Sequence, residues 1–369
     1  MLDVASMPHA VIQRPKSLWE SLRAQPVRCV SVMGMRKNTG KTVCLNYLLA
    51  QAKRSHVAVG ITSIGRDGEE RDAVFSIPKP AVRVTEGCLV ATASDSLLRA
   101  KARFKKLGGT GIASPLGEIL IVKVLSDGDM EVAGASRGHE QLTVIACLKR
   151  LGAELVFLDG ALGRSQHASP AISDGVVLST GAVVGGSMHD VLRKTRERLQ
   201  LLSIARVPPD LQERTAATFS NAAVGVWNAQ GQALFEAPIA TLNAASVLLS
   251  LEQQMGWHTV AVSGAVGRSL WSAMTQQLKK NPGMNLVVAD GTKLFVERND
   301  VSDFVQRGGR LWAMREIRVL GVTLNPYSPH DSGFEASAFL SAARQALSEH
   351  VVTDVWLEPT LLPSGFDGV

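Results

Sequence analysis

Gly40, Lys41 and Thr42 close the stretch VSVMGMRKNTGKT, and such a triplet can hold a phosphate when it joins a strand to a helix. The chemistry asks for a glycine that lets the backbone approach the anion, an ammonium for the outer phosphates and a hydroxyl for Mg²⁺. It also asks for a helix N-terminus whose partial positive charge faces the ligand. Gly40, Lys41 and Thr42 supply the first three. The eight-residue pattern GxxxxGK[ST] expects glycine at position 35, where Met35 stands, with Gly34 one residue earlier. Two readings follow: a working nucleotide site with a longer loop, or a glycine turn that carries a lysine. On the first, the binding set is Gly34, Asn38, Thr39, Gly40, Lys41 and Thr42, with Lys41 also catalytic.

A nucleotide site of this kind needs a carboxylate at the end of another strand, because Mg²⁺ prefers oxygen ligands and keeps waters that a carboxylate can hold. AELVFLDGALGR places Asp159 after an apolar run, making it the expected metal and catalytic residue alongside Thr42; a capping aspartate is the plainer alternative. SIGRDGEERD concentrates charge after a second strand, and Asp67 is read there either as a second metal or base residue or as part of a solvated loop. GASRG, Gly134 to Gly138, matches the nucleophile-elbow expression around Ser136. Its preceding strand reads as part of the β-rich insertion rather than of the parallel sheet, so Ser136 and Arg137 read better as an anion-binding helix start. His139, His167, His189 and His330 show no HxxxH or HxH spacing, which argues against zinc. ADGTK (Asp290 to Lys293) and TLNPYSP (Thr323 to Pro329) are polar strand-end loops that either complete a site across domains or only make turns.

The elements that would carry these residues follow from periodicity. VRCVSVMG is a β-branched run, KTVCLNYLLAQAKR has helical spacing and HVAVGITSIG is a second strand, the opening of a parallel α/β sheet. Residues 1–26 read as an N-terminal leader with an amphipathic turn around Trp19 and Leu22. Residues 27–205 read as the phosphate-loop domain, with a β-rich insertion at about 75–138 in which SDGD makes a hairpin turn. Residues 206–369 read as a C-terminal α/β domain beginning near two adjacent prolines. LVFLDG and LVVADG end alike, hinting at an ancestral repeat.

Composition bounds the function classes. The chain has 369 residues, 46% hydrophobic and 20% charged, as expected of a globular protein with a substantial core. Its 39 basic and 33 acidic residues give a net charge of +6, and no basic stripe is interleaved with aromatics, so a nucleic-acid partner is not expected. No apolar run reaches the roughly 18 residues of a membrane span. The four cysteines form no CxxC pair and read as buried thiols of a reducing, cytoplasmic compartment.

GMRKNTGKT also matches the nine-residue loop of dethiobiotin-synthetase-like enzymes, and MRKNTGKT can be laid on the deviant loop of the dimerising P-loop ATPases with Arg36 at the signature-lysine position. Together with GITSIGRDGE, DGALGR, SPAISDGVVLSTGA and GVTLNPYSP, the loop resembles a group of P-loop proteins described as the reactivase subunit of the cobalamin-dependent lysine 5,6-aminomutase. The resemblance implies a P-loop NTPase fold and an ATP- and Mg²⁺-using assistant of a partner aminomutase. It also brings a homodimer into consideration. ATP is expected over GTP because no NKxD-type guanine reader occurs. Two alternatives stay open: an ATP-dependent ligase or small-molecule kinase, with Asp67, Arg137 or Lys293 on the substrate, and a regulatory module that binds nucleotide without cleaving it.

Overall fold

The computed structural model describes residues 17–64, 82–160, 169–239, 241–250, 256–329 and 333–357. Helix α1 (Leu18–Arg23) starts on a capping box between Ser17 and Glu20. Strand β1 (Cys29–Gly34) leads through the GKT loop into α2 (Lys41–Arg54) and β2 (Val59–Ser63). Then come β3 (Val82–Val84), β4 (Leu89–Ala93), the short α3 (Ser94–Leu97), β5 (Phe104–Ser114), β6 (Gly117–Val124) and β7 (Gly128–Met130). Helix α4 (Gly138–Arg150), β8 (Leu155–Asp159), β9 (Gly175–Gly181) and α5 (Met188–Leu202) complete the first half.

The second half runs α6 (Pro209–Asn221), β10 (Val224–Trp227), β11 (Ala233–Ala237), α7 (Thr241–Ser250), β12 (Thr259–Val262), α8 (Arg268–Leu278), β13 (Asn285–Val288), α9 (Arg298–Gln306) and β14 (Arg310–Ala313). It ends with β15 (Val319–Asn325), α10 (Ala336–Ala346) and β16 (Val352–Thr353).

The protein is α/β, built on a mixed, mostly parallel nine-stranded sheet of order β16-β15-β9-β1-β8-β2-β4-β6-β5, antiparallel only where β6 meets β4 and β5. Its central strands are buried without interruption because both faces are covered. Leu45, Leu48 and Leu49 of α2 pack on Val30, Val32, Ile61 and Phe157 on one face. On the other, Val144 and Leu148 of α4 pack on Cys29, Val156 and Leu158, while Val191 of α5 and Phe339 of α10 meet Val176, Leu178 and Val322.

Several expectations from the sequence need correction. The segment from Trp19 to Leu22, assigned to a leader, belongs to the core. Leu18 and Leu22 are fully buried, the Trp19 indole donates to Ser55 Oγ at 2.9 Å and the Ser21 hydroxyl donates to the Leu320 carbonyl at 2.7 Å. Within the β-rich stretch, β4, β6 and β5 are not a separate layer but extend the main sheet, since β4 pairs in parallel with β2. Only β3 and β7 form a ribbon of their own. The SDGD turn is no hairpin. Asp127 instead accepts from Lys53 Nζ at 2.7 Å and from the Glu86 amide at 2.9 Å, tying the chain to the end of α2 as it changes layers.

A second sheet, β11-β10-β12-β13-β14, is carried by residues between α5 and β15. The segment 206–369 is therefore not one unit: β15 and β16 return to the main sheet, where Thr323 pairs with Ser179 of β9. β10 and β11 form the antiparallel hairpin that NAAVGVWNAQGQALFEA suggests. Helix α5 serves both sheets, with Leu199 and Leu202 in the first core and Leu201 in the second. Among the described residues, no helix is long and apolar enough to cross a membrane.

Candidate functional site

β1 lies between β9 and β8, all parallel, so their carboxyl ends open on one edge of the sheet, where ligands of open α/β sheets bind. The chain leaves β1 at Gly34 and reaches α2 through a loop with two left-handed residues, Asn38 at φ 63° and Gly40 at φ 82°. Asparagine and glycine are the residues that adopt this region most readily. Gly34 is needed for space: a Cβ there would stand 2.6 Å from Thr39 Oγ1 and 2.7 Å from Lys41 Cδ. The buried Thr39 hydroxyl donates to the Arg36 carbonyl at 2.9 Å and closes the loop on itself, while the Met35 amide donates to Ser179 on β9 at 3.0 Å. Arg36 donates to the Val183 carbonyl at 3.3 Å.

The start of α2 differs from those of α1 and α5 and shares its bare glycine N-cap with α8, but only α2 is entered from β1 through the left-handed Asn38 and Gly40. Ser17 and Ser187 cap α1 and α5 with their hydroxyls, whereas Gly40 offers no side-chain cap and the first turn of α2 carries no acidic residue. The partial positive charge of this 14-residue helix is therefore not neutralised by its own first turn. Lys41 adds a full charge, and its ammonium donates to the Gly160 carbonyl at 2.8 Å, at the end of β8.

Asp159 lies in register with Val32 on the adjacent strand and is 7% exposed. Phe157 points into the α2-side core, and the two-residue period of a strand turns Asp159 to that same side. Gly34, Asn38, Thr39, Gly40, Lys41, Thr42 and Asp159 thus converge on one sheet edge. Thr42 is buried in the first turn of α2. Asp67 lies outside the described residues, as do His167 and His330.

Ser136, Arg137 and the Asp290–Lys293 loop do not join this cluster. β7, the strand before Ser136, sits in the two-stranded ribbon, so no parallel strand turns sharply into α4 and the elbow geometry is missing. Arg137 is the N-cap residue of α4, where its guanidinium lies 3.8 Å from Glu140. Asp290 opens a one-turn 3-10 helix, Gly291–Lys293, in the second unit. Its carboxylate accepts from the Thr292 amide at 2.9 Å, from the Thr292 hydroxyl and from Ser169 Oγ at 2.6 Å, which is turn chemistry plus a tie to the first unit. Burial lowers the pKa of Arg198 on α5 and the charge of Asp290 opposes that shift.

All four cysteines are free. Burial pushes Cys29 and Cys44 up to about 12, which keeps them as inert thiols near neutrality. Among the described residues no three His, Cys, Asp or Glu side chains gather to hold a metal ion.

Reasoning from sequence missed one participant. Asn325, at the end of β15, donates from Nδ2 to the Asn38 carbonyl at 2.6 Å and lies against Gly40. The TLNPYSP stretch marked the neighbourhood, but nothing in it indicated a partner 287 residues away.

No protein-family model matches the chain, and neither a curated protein nor a solved structure shows significant similarity to it.

Proposed function

We propose that this protein is a P-loop NTPase of the dethiobiotin-synthetase-like type that binds ATP with Mg²⁺ at the β1–α2 junction and hydrolyses it to act on a partner protein. The observation that carries the reading is the uncapped start of α2, approached by left-handed Asn38 and Gly40, with Lys41 as its first residue and Asp159 at the end of β8, the strand beside β1. The loop amides and the Lys41 ammonium hold the β and γ phosphates, and the ammonium leaves the Gly160 carbonyl to do so. The Thr42 hydroxyl and the Asp159 carboxylate are the oxygen donors that suit Mg²⁺, which supplies charge neutralisation across the phosphates when bound. Rate enhancement is then mainly electrostatic: fixed amides, one ammonium and one carboxylate are in place before charge shifts.

The partner, a cobalamin-dependent aminomutase in need of a fresh cofactor, rests on the resemblance of the short strings in the sequence. The cytoplasmic setting rests on the absence of disulfides among the four free cysteines.

Calorimetric titration with Mg·ATP tests the site. Lys41→Ala removes a charged hydrogen-bond donor and is expected to raise Kd by about 10- to 100-fold. Unchanged binding would overturn the reading. ATPase assays with and without the aminomutase then test the partner, with stimulation expected.

A further inference from the structure

Asn325 is the last residue of β15 and is half-buried. Both ends of its amide are used. Oδ1 accepts from the Tyr327 amide at 3.2 Å, which orients the side chain, and Nδ2 donates to the backbone carbonyl of Asn38 at 2.6 Å. Its Cβ also backs the loop, because a Cβ on Gly40 would stand 3.3 Å from it. Asn38 needs such support. It is a non-glycine residue at φ 63°, a conformation that costs roughly 1 kcal/mol. The Thr39 hydroxyl, which donates to the Arg36 carbonyl, ties the loop at a different point.

A planar trans peptide couples the two groups it contains. Turning the Asn38 carbonyl toward β15 turns the amide of Thr39 the opposite way, so one side chain sets the direction of a donor in the phosphate cradle. We propose that Asn325 is a positioning residue of the phosphate loop, holding its amides ready for a triphosphate irrespective of the base attached to it. This rests on the nucleotide reading above and adds that the C-terminal strand of the main sheet shapes a loop near the N-terminus.

The test uses the full chain and two probes, Mg·ATP and Mg·tripolyphosphate, the second carrying no base. Asn325→Ala is expected to weaken both by the same factor, about 3- to 10-fold, the worth of one hydrogen bond. Hydrogen exchange of the ligand-free loop peptide is expected to accelerate while exchange over β15 does not. Weakened ATP binding with unaltered tripolyphosphate binding would make Asn325 a reader of the base and overturn the proposal, as would unaltered binding of both. If the alanine variant fails to fold, Asn325→Ser, too short to reach Asn38, takes its place with the same expectations. Wild-type protein that binds neither probe sinks the nucleotide reading and this proposal with it, whereas wild-type binding lost in Lys41→Ala but kept in Asn325→Ala sinks this proposal alone.

Discussion

Gly34 marks how closely the loop folds on itself. Its missing side chain leaves room for Thr39 Oγ1 and the stem of Lys41, both within 3 Å of where a Cβ would be. Gly34→Ala therefore displaces the lysine stem. Mg·ATP affinity is expected to drop about tenfold or more by calorimetry, since a charged contact is lost, while the circular dichroism spectrum stays that of the wild type. The loop itself was legible in the sequence because the proposed roles attach to residue type: glycine for close approach, lysine for charge, threonine for its hydroxyl. Asp159 was legible for a similar reason, as an acid ending an apolar strand. Asn325 was not, because its role is a contact across the sheet and no local pattern encodes a partner so far away.

Elements show the limit of periodicity in another way. The helix α2 and the strands β1, β2, β8 and β9 were readable because buried parallel strands and amphipathic helices write their environment into the sequence. Helix α1 is six residues long, too short to show a period, and its destination is what makes it part of the fold. Leu18 is fully buried in the core of the main sheet. Leu18→Ala is expected to cost about 2–5 kcal/mol in urea denaturation, as for other buried leucines; a change under about 0.5 kcal/mol, typical of a surface site, would return this segment to the status of a leader. The strands β4 and β6 were readable as strands but not as members of the main sheet, since alternation reports that a strand has a buried face and not which neighbour it pairs with, and β5 was not read as a strand because Gly108, Gly109 and Gly111 interrupt it.

At the scale of the whole molecule, the second sheet is held to the first by α5 and by a buried cluster around Asp290. Its carboxylate takes Ser169 of the segment that follows β8, and its charge acts on the half-buried Arg198. Asp290→Ala leaves that hydroxyl without its acceptor and removes the opposing charge near Arg198. A loss on the order of 2 kcal/mol is expected, read as a lower urea midpoint, with the two sheets unfolding in separate transitions where the wild type shows one. The two adjacent prolines near residue 206 lie just before the elements that carry the second sheet. The return of β15 and β16 was not, because a strand that closes an earlier sheet looks the same in sequence as one that closes its own.

That return sets the order in which the protein can become competent during synthesis. The ribosome delivers β1, the GKT loop, β8 and β9 in the first half of translation, then makes an entire second sheet, and only afterwards releases the strand that buttresses Asn38. A nascent chain stalled before residue 319 carries Lys41, Thr42 and Asp159 and an open edge along β9. On the nucleotide reading proposed above, competence arrives late and all at once, and incomplete products are left without the contact that shapes the loop.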